Sequence, residues 1–195
     1  MRIVAIHGHP REGSFNRALA NAYVRGARAG GAHVDELDLD ALDFDPILHN
    51  GYETIQELEP DLVRAQELIG AADHIVVSFP VWWGAAPALL KGFFDRTFLP
   101  GWAFSFQDPW PLPKRLLRGR SAHAILTMDS PKLVYAAVYW GSAHRAVITG
   151  VLRFSGLSPV SHTTVSGVKF LPDALRAFHI NRMERLGRRH ARRDS

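Results

Sequence analysis

The chain has 195 residues, 47% of them hydrophobic and 22% charged, which suits one domain of ordinary globular composition. No apolar run reaches the ~18 residues of a membrane span, and the apolar start is too brief for a secretory signal, so a cytoplasmic protein is expected. Cysteine is absent, which excludes a disulfide framework, a Cys-ligated metal and a cysteine nucleophile.

The formal charge of +4 is local. Residues 185–195 hold five arginines against Asp194, leaving 18 basic and 18 acidic side chains for the rest of the chain. The expectation is one domain over residues 1–187 and a frayed basic tail over 188–195, with no nucleic-acid partner.

In chain order, Arg2–His7 reads as a buried strand, and His7–Gly13 as a loop. Ser14 caps a helix running to about Arg28, with Ala18, Leu19, Ala22, Tyr23 and Gly26 at helical spacing. Val34–Leu39 is a weakly alternating second strand, Asp40–Tyr52 a loop, and Thr54–Gly70 an amphipathic helix. His74–Phe79 is a third strand that stops at Pro80 and spills Trp82 and Trp83 into a loop before a helix over Ala88–Phe98. The proline-rich stretch Ser105–Arg118 reads as an irregular lid or packed loop, Ala122–Thr127 as a fourth strand and Met128–Trp140 as a loop. A helix over Gly141–Phe154, a fifth strand over Val160–Val165 and a terminal helix over Pro172–Arg189 complete the chain. Strands alternating with helices predict a doubly wound α/β parallel sheet covered on both faces.

In such a sheet the loops after strands one, three and four converge at the carboxyl ends of the strands. The first, with His9, Arg11, Ser14 and Asn16, presents free helical N–H groups to an anion. It is neither G-x-G-x-x-G nor a Walker loop, which disfavours a Rossmann-type dinucleotide or a triphosphate. The second offers Trp83 to stack on a flat ring and the N–H groups around Val81–Gly84 to stabilise negative charge that builds on it. The third supplies Thr127, Asp129 and Ser130, with Tyr135 overhanging as a proton donor or simply a packed aromatic. No H-E-x-x-H pair marks a metal site, and no G-x-S-x-G elbow marks an esterase.

The residues His9…Ser14-Phe15-Asn16, Phe79-Pro80-Val81-x-Trp83…Pro87-Ala88-x-Leu90-Lys91-Gly92-x-Phe94-Asp95-Arg96-x-Phe98, Gly101-Trp102-Ala103-Phe104 and Thr127…Tyr135 resemble the NAD(P)H:quinone oxidoreductase (DT-diaphorase-like) family of flavodoxin-like flavoproteins. The resemblance implies a flavodoxin-like sheet of order 2-1-3-4-5 and a homodimer. It also implies ping-pong transfer of two electrons from NAD(P)H through flavin to a quinone-like acceptor. Flavin binding would fall to His9, Ser14, Phe15, Asn16, Pro80, Val81, Trp82, Trp83, Gly84, Thr127, Met128, Asp129 and Ser130, with Arg176 near the pyrophosphate. Phe104 and Phe106 would close the substrate pocket from the partner subunit beside Tyr135. Tyr135 and His144 would be the catalytic pair, His144 being the nearest histidine where the family places one six residues after the tyrosine and this chain has Gly141. FAD is the expected flavin, with FMN the alternative. The competing readings are a flavodoxin-type electron carrier and a redox-sensing accessory protein of a transport system.

Overall fold

A computed structural model describes residues 1–107 and 110–192. The β1 strand, Arg2–His7, is buried from its second residue on and leads into helix α1, Phe15–Ala29. Ser14 caps that helix by accepting from the Arg17 N–H at 3.1 Å, satisfying one of the donors a helix start leaves free. After β2 (His33–Asp38) comes helix α2, Pro60–Ala71. It starts later than the periodicity of 54–70 predicts. Pro60 fits the first turn of a helix, but it holds Glu59 extended, and Ile55 is 96% exposed.

The fully buried β3 strand, His74–Pro80, precedes helix α3, Ala88–Thr97. The stretch expected to be an irregular lid or packed loop is instead an antiparallel ribbon of β4 (Phe104–Gln107) and β5 (Trp110–Arg115). Pro111 and Pro113 lie two residues apart, so both missing N–H groups fall on one edge and the ribbon pairs along the other. Then come β6 (Ser121–Met128) and helix α4 (Lys132–Tyr139). A short turn, α5 (Ser142–His144), runs directly into π-helical turns over Arg145–Arg153, and β7 (Val160–Ser166) and helix α6 (Asp173–Ala191) follow.

Helix α4 replaces the loop expected over 128–140. Its outward residues Leu133, Val134 and Val138 are apolar and exposed while Tyr135 alone is buried, so no polar face announces a helical period.

The five main strands lie in the order β2-β1-β3-β6-β7, all parallel, which is the anticipated 2-1-3-4-5 once the ribbon is set aside. One core layer joins α2, α3 and the π-helical segment to the sheet through Val77, Phe79, Phe93, Leu126 and Leu152. The other packs α1 and α6 through Leu19, Tyr23, Val76, Ile125 and Met183. On the second face α6 extends past residue 187, with His190 and Ala191 buried. The helix thus runs past the expected boundary at 187: His190 packs on His74 of β3 and His123 of β6, and Arg188 and Arg189 are helical.

Candidate functional site

A cavity of about 440 Å³ opens at the carboxyl ends of β1, β3 and β6. It is lined from the first loop by His9, Ser14, Phe15 and Asn16, and from the second by Pro80, Val81 and Trp82. Thr127, Met128 and Asp129 line it from the third loop, and Arg176 from α6. The three loops, spread over more than a hundred residues of sequence, thus meet as the sheet order requires.

The first wall is polar and donor-rich. The His9 pKa is lowered by burial and by the nearby Arg11 charge. Its Nδ1 accepts from the Arg11 N–H at 3.0 Å, so the neutral ring carries its proton on Nε2, which is thereby a donor. Its ring also meets Trp82 edge-on, with centroids 5.5 Å apart. Asn16 donates from Nδ2 to the Ile125 carbonyl at 3.3 Å, while its buried Oδ1 has no partner. A buried acceptor left unmatched on a cavity wall is costly and suits a ligand hydroxyl or N–H.

The second wall departs from expectation. Trp82 and Ala85 exchange backbone hydrogen bonds of 2.9 Å in both directions, and Trp83 (φ 51°) and Gly84 (φ 74°) between them are left-handed, the mark of a type I′ turn. That turn carries Trp83 out to 97% exposure, so Trp82 rather than Trp83 lines the cavity. Among the N–H groups expected to face a ring, Val81 donates to the Thr127 carbonyl at 2.7 Å and Trp82 to Ala85. Only those of Trp83 and Gly84 have no backbone acceptor among the described residues. Gly84 itself lies under Tyr139, whose Cδ1 would be 2.5 Å from an added Cβ, and its carbonyl accepts from the Ser142 hydroxyl.

The third wall also closes differently. Asp129 accepts from the Lys169 N–H at 2.8 Å, drawing the loop after β7 against the cavity, and Ser130 lies outside it. Val168 and Lys169 are lining residues that sequence reasoning missed; the only signal was that their loop also follows a parallel strand. Arg176 fixes the same loop, donating from Nη2 to the Val168 carbonyl (2.6 Å) and from Nε to that of Leu171 (3.0 Å). Its guanidinium sits 5.1 Å from the Phe15 ring centroid.

Tyr135 and His144 do come together, with Tyr135 Oη 3.2 Å from His144 Nδ1. Two successive left-handed residues, Trp140 and Gly141, fold α5 back over α4. The pair does not reach the cavity, however. Tyr135 is 5% exposed, and its hydroxyl accepts from the Ala143 N–H at 2.9 Å. His144 Nε2 meets Thr164 Oγ1 at 2.8 Å, and burial, His162 and Lys132 push its pKa down to about 4. Tyr135 does not line the cavity; it ties the α4–α5 corner whose Tyr139 and Ser142 hold Gly84. Tyr135→Phe orphans the Ala143 N–H and should cost about 1–3 kcal/mol, read from urea unfolding. An unchanged midpoint with turnover lost would restore the catalytic assignment.

Phe104 does not line this cavity: it is 8% exposed, packs on Phe154 at 5.0 Å and Phe106 at 5.5 Å, and lines the same apolar groove as Phe106. Phe106 remains 68% exposed beside that groove, which is separate from the cavity and has a volume of about 580 Å³.

A family model described as a flavodoxin-like fold matches residues 1–186. The chain belongs to that family. This flavodoxin-like chain is 27% identical to rat (Rattus norvegicus) NAD(P)H dehydrogenase [quinone] 1 over 88% of its length and 70% of the rat protein. It is 33% identical to the FMN-dependent NADH:quinone oxidoreductase of Ruegeria pomeroyi, over 65% of this chain and 69% of that one. Its fold superposes on the NAD(P)H:quinone oxidoreductase of Methanothermobacter marburgensis with a TM-score of 0.81 at 25% identity, covering 97% of this chain and 96% of that one.

Proposed function

We propose that the chain is a flavin-dependent NAD(P)H oxidoreductase that delivers two electrons to a quinone or similar acceptor. The observation that carries this reading is the cavity that gathers the loops after β1, β3 and β6. The residues present fit a flavin. The start of α1, with Arg11, Lys169 and Arg176, offers positive charge on both sides of the opening for its phosphates. Asn16 Oδ1 and His9 Nε2 offer an acceptor and a donor to its hydroxyls or ring edge. A bound flavin supplies a ring that accepts and returns electron pairs.

The chain's own part is to hold and polarise that ring. The Trp83 and Gly84 N–H groups lie at the tip of the turn, outside the cavity lining, and would stabilise negative charge only on a ring edge that extends past Trp82, the physics of an oxyanion hole. Met128 and Trp82 keep water from the cavity's inner side. FAD is the form we infer, because basic side chains on two opposed walls suit a pyrophosphate; FMN, named for the Ruegeria enzyme, is the alternative. A homodimer is the inferred assembly, supported by apolar exposure concentrated around the site: Trp83, Leu133, Val138 and Trp140 are more than half exposed. Phe106 is the aromatic available to a partner subunit. No helix among the described residues is long and apolar enough to cross a membrane, and a cytoplasmic location is part of the proposal.

The test is optical. The purified protein should show a flavin band near ~450 nm that NADH or NADPH bleaches anaerobically and menadione restores. Protein that takes up no flavin would overturn the proposal, and bound flavin that no nicotinamide reduces would favour the carrier or accessory reading. Chromatography of the released flavin separates FAD from FMN. Arg176→Gln should weaken flavin retention about tenfold or more, the loss of one charge-assisted contact, read by equilibrium dialysis; equal retention would remove Arg176 from the site.

A further inference from the structure

A second concave site lies farther along α6. Arg182, Arg185 and Arg189, spaced three and four residues apart, line one face of that helix and look across a pocket of about 560 Å³ onto β6 and β7. Its far wall is formed by His123, His162, Ser161 and Thr163, and His190 closes one end. Its lining begins at Arg182, about 9 Å along the helix from Arg176 at 1.5 Å per residue, and the two cavities share no lining residue.

The chemistry of the lining is one-sided. No carboxylate lines the pocket among the described residues, and none of the three arginines makes an ion pair there. Exposed helical arginines commonly pair with acidic neighbours three or four residues away; these three instead converge on a cavity of basic and hydroxyl groups. His123 meets Ser161 Oγ at 2.7 Å and Thr163 Oγ1 at 3.0 Å. A neutral imidazole donates from one nitrogen and accepts at the other. Whichever tautomer His123 takes, one of these hydroxyls accepts from the ring and keeps its own proton for a ligand. His190 is held by Tyr23, whose Oη lies 2.7 Å from its Nδ1. The positive field is felt inside the wall: the His123 pKa is driven down to about 3 by burial, then by His190, His162, Arg189 and Arg182.

We propose that this pocket binds a multiply charged phosphate ester of a small organic molecule. Guanidinium groups grip phosphate oxygens in pairs, the hydroxyl that keeps its proton adds a further donor, and the volume is that of a small-molecule site. A concave pocket also fits a discrete anion better than the flat stripe a nucleic-acid backbone follows.

The probe is inorganic pyrophosphate, titrated calorimetrically into flavin-saturated protein at about 0.15 M salt, where contacts between exposed charges farther apart than ~8 Å are screened. One saturable site is expected. Arg185→Gln/Arg189→Gln should weaken it at least about tenfold while leaving the ligand-free melting temperature unchanged, because both side chains are exposed. Arg176→Gln should bind as the parent does. Absence of saturable heat, or equal binding by the double variant, would overturn the proposal. Loss of binding in Arg176→Gln alone would assign the anion to the flavin cavity and overturn it as well. If the protein loads no flavin, the same titration is made on the protein as purified, and Arg176→Gln against the double variant still tells the two cavities apart.

Discussion

Glu59→Gln should destabilise the protein by about 3 kcal/mol, a fall of roughly 6–12 °C in Tm for a chain of this size. Its partner Arg96 is fully buried on α3 and makes three kinds of contact. It donates to the Glu59 carboxylate at 2.9 and 3.1 Å, to the Asp45 carbonyl at 2.6 Å and to the Glu57 carbonyl at 2.8 Å. One guanidinium thus pins the long connection between β2 and α2 onto the helix that follows the Trp82–Ala85 turn. Removing the carboxylate's charge leaves a buried cation with neutral acceptors only, and this is costly even though Glu59 keeps partial contact with water. Arg96→Met combined with Glu59→Gln should cost less than the sum of the single changes, since the lone buried charge is then gone. Additive losses would show that the pair is not coupled.

The same pair sets an acid limit. Burial acts to raise the Glu59 pKa, but the backbone N–H groups of Glu59 and Asp45 and the Arg96 guanidinium outweigh it, and the net direction is down. A carboxyl that titrates lower in the folded state binds fewer protons there than in the unfolded chain. Its contribution is therefore complete above its ordinary value of 4.5 and is lost as pH falls through the folded-state value. Stability measured from pH 7 downward should fall less steeply in Glu59→Gln than in the parent between 4.5 and the folded-state value.

Gly187→Ala and Gly26→Ala should each cost about 2–3 kcal/mol, although alanine is the better helix former by roughly 1 kcal/mol. A Cβ at Gly187 would run into the Tyr23 carbonyl oxygen of α1, and one at Gly26 into the Glu184 carbonyl oxygen of α6. Both obstacles are main-chain atoms of a neighbouring helix, so no side chain can rotate away and the helices must part. The separation would strain the Tyr23–His190 hydrogen bond. Thermal unfolding checks this: a Tm within a degree or two of the parent would mean that α1 and α6 are free to slide. Gly13→Ala is the control, since nothing lies within 4 Å of a Cβ there.

The sequence by itself determined the main architecture and most of the lining of the cavity at the carboxyl ends of the strands. Apolar runs such as His74–Phe79 and the Ser14 cap are local signals, and a parallel sheet with short connections leaves its carboxyl-end loops one place to meet. His9, Asn16, Pro80 and Thr127 could be assembled on that ground alone. Tertiary structure decided what local pattern does not encode. The left-handed pair Trp83-Gly84 turned Trp83 outward and brought Trp82 in. Trp140-Gly141 folded His144 onto a tyrosine that then became buried. The arginines of the last helix read as a solvated tail because charge alone says nothing of what faces it. Only the packing of α6 across β6 and β7 gave Arg182, Arg185 and Arg189 a concave wall of histidines and hydroxyls to face.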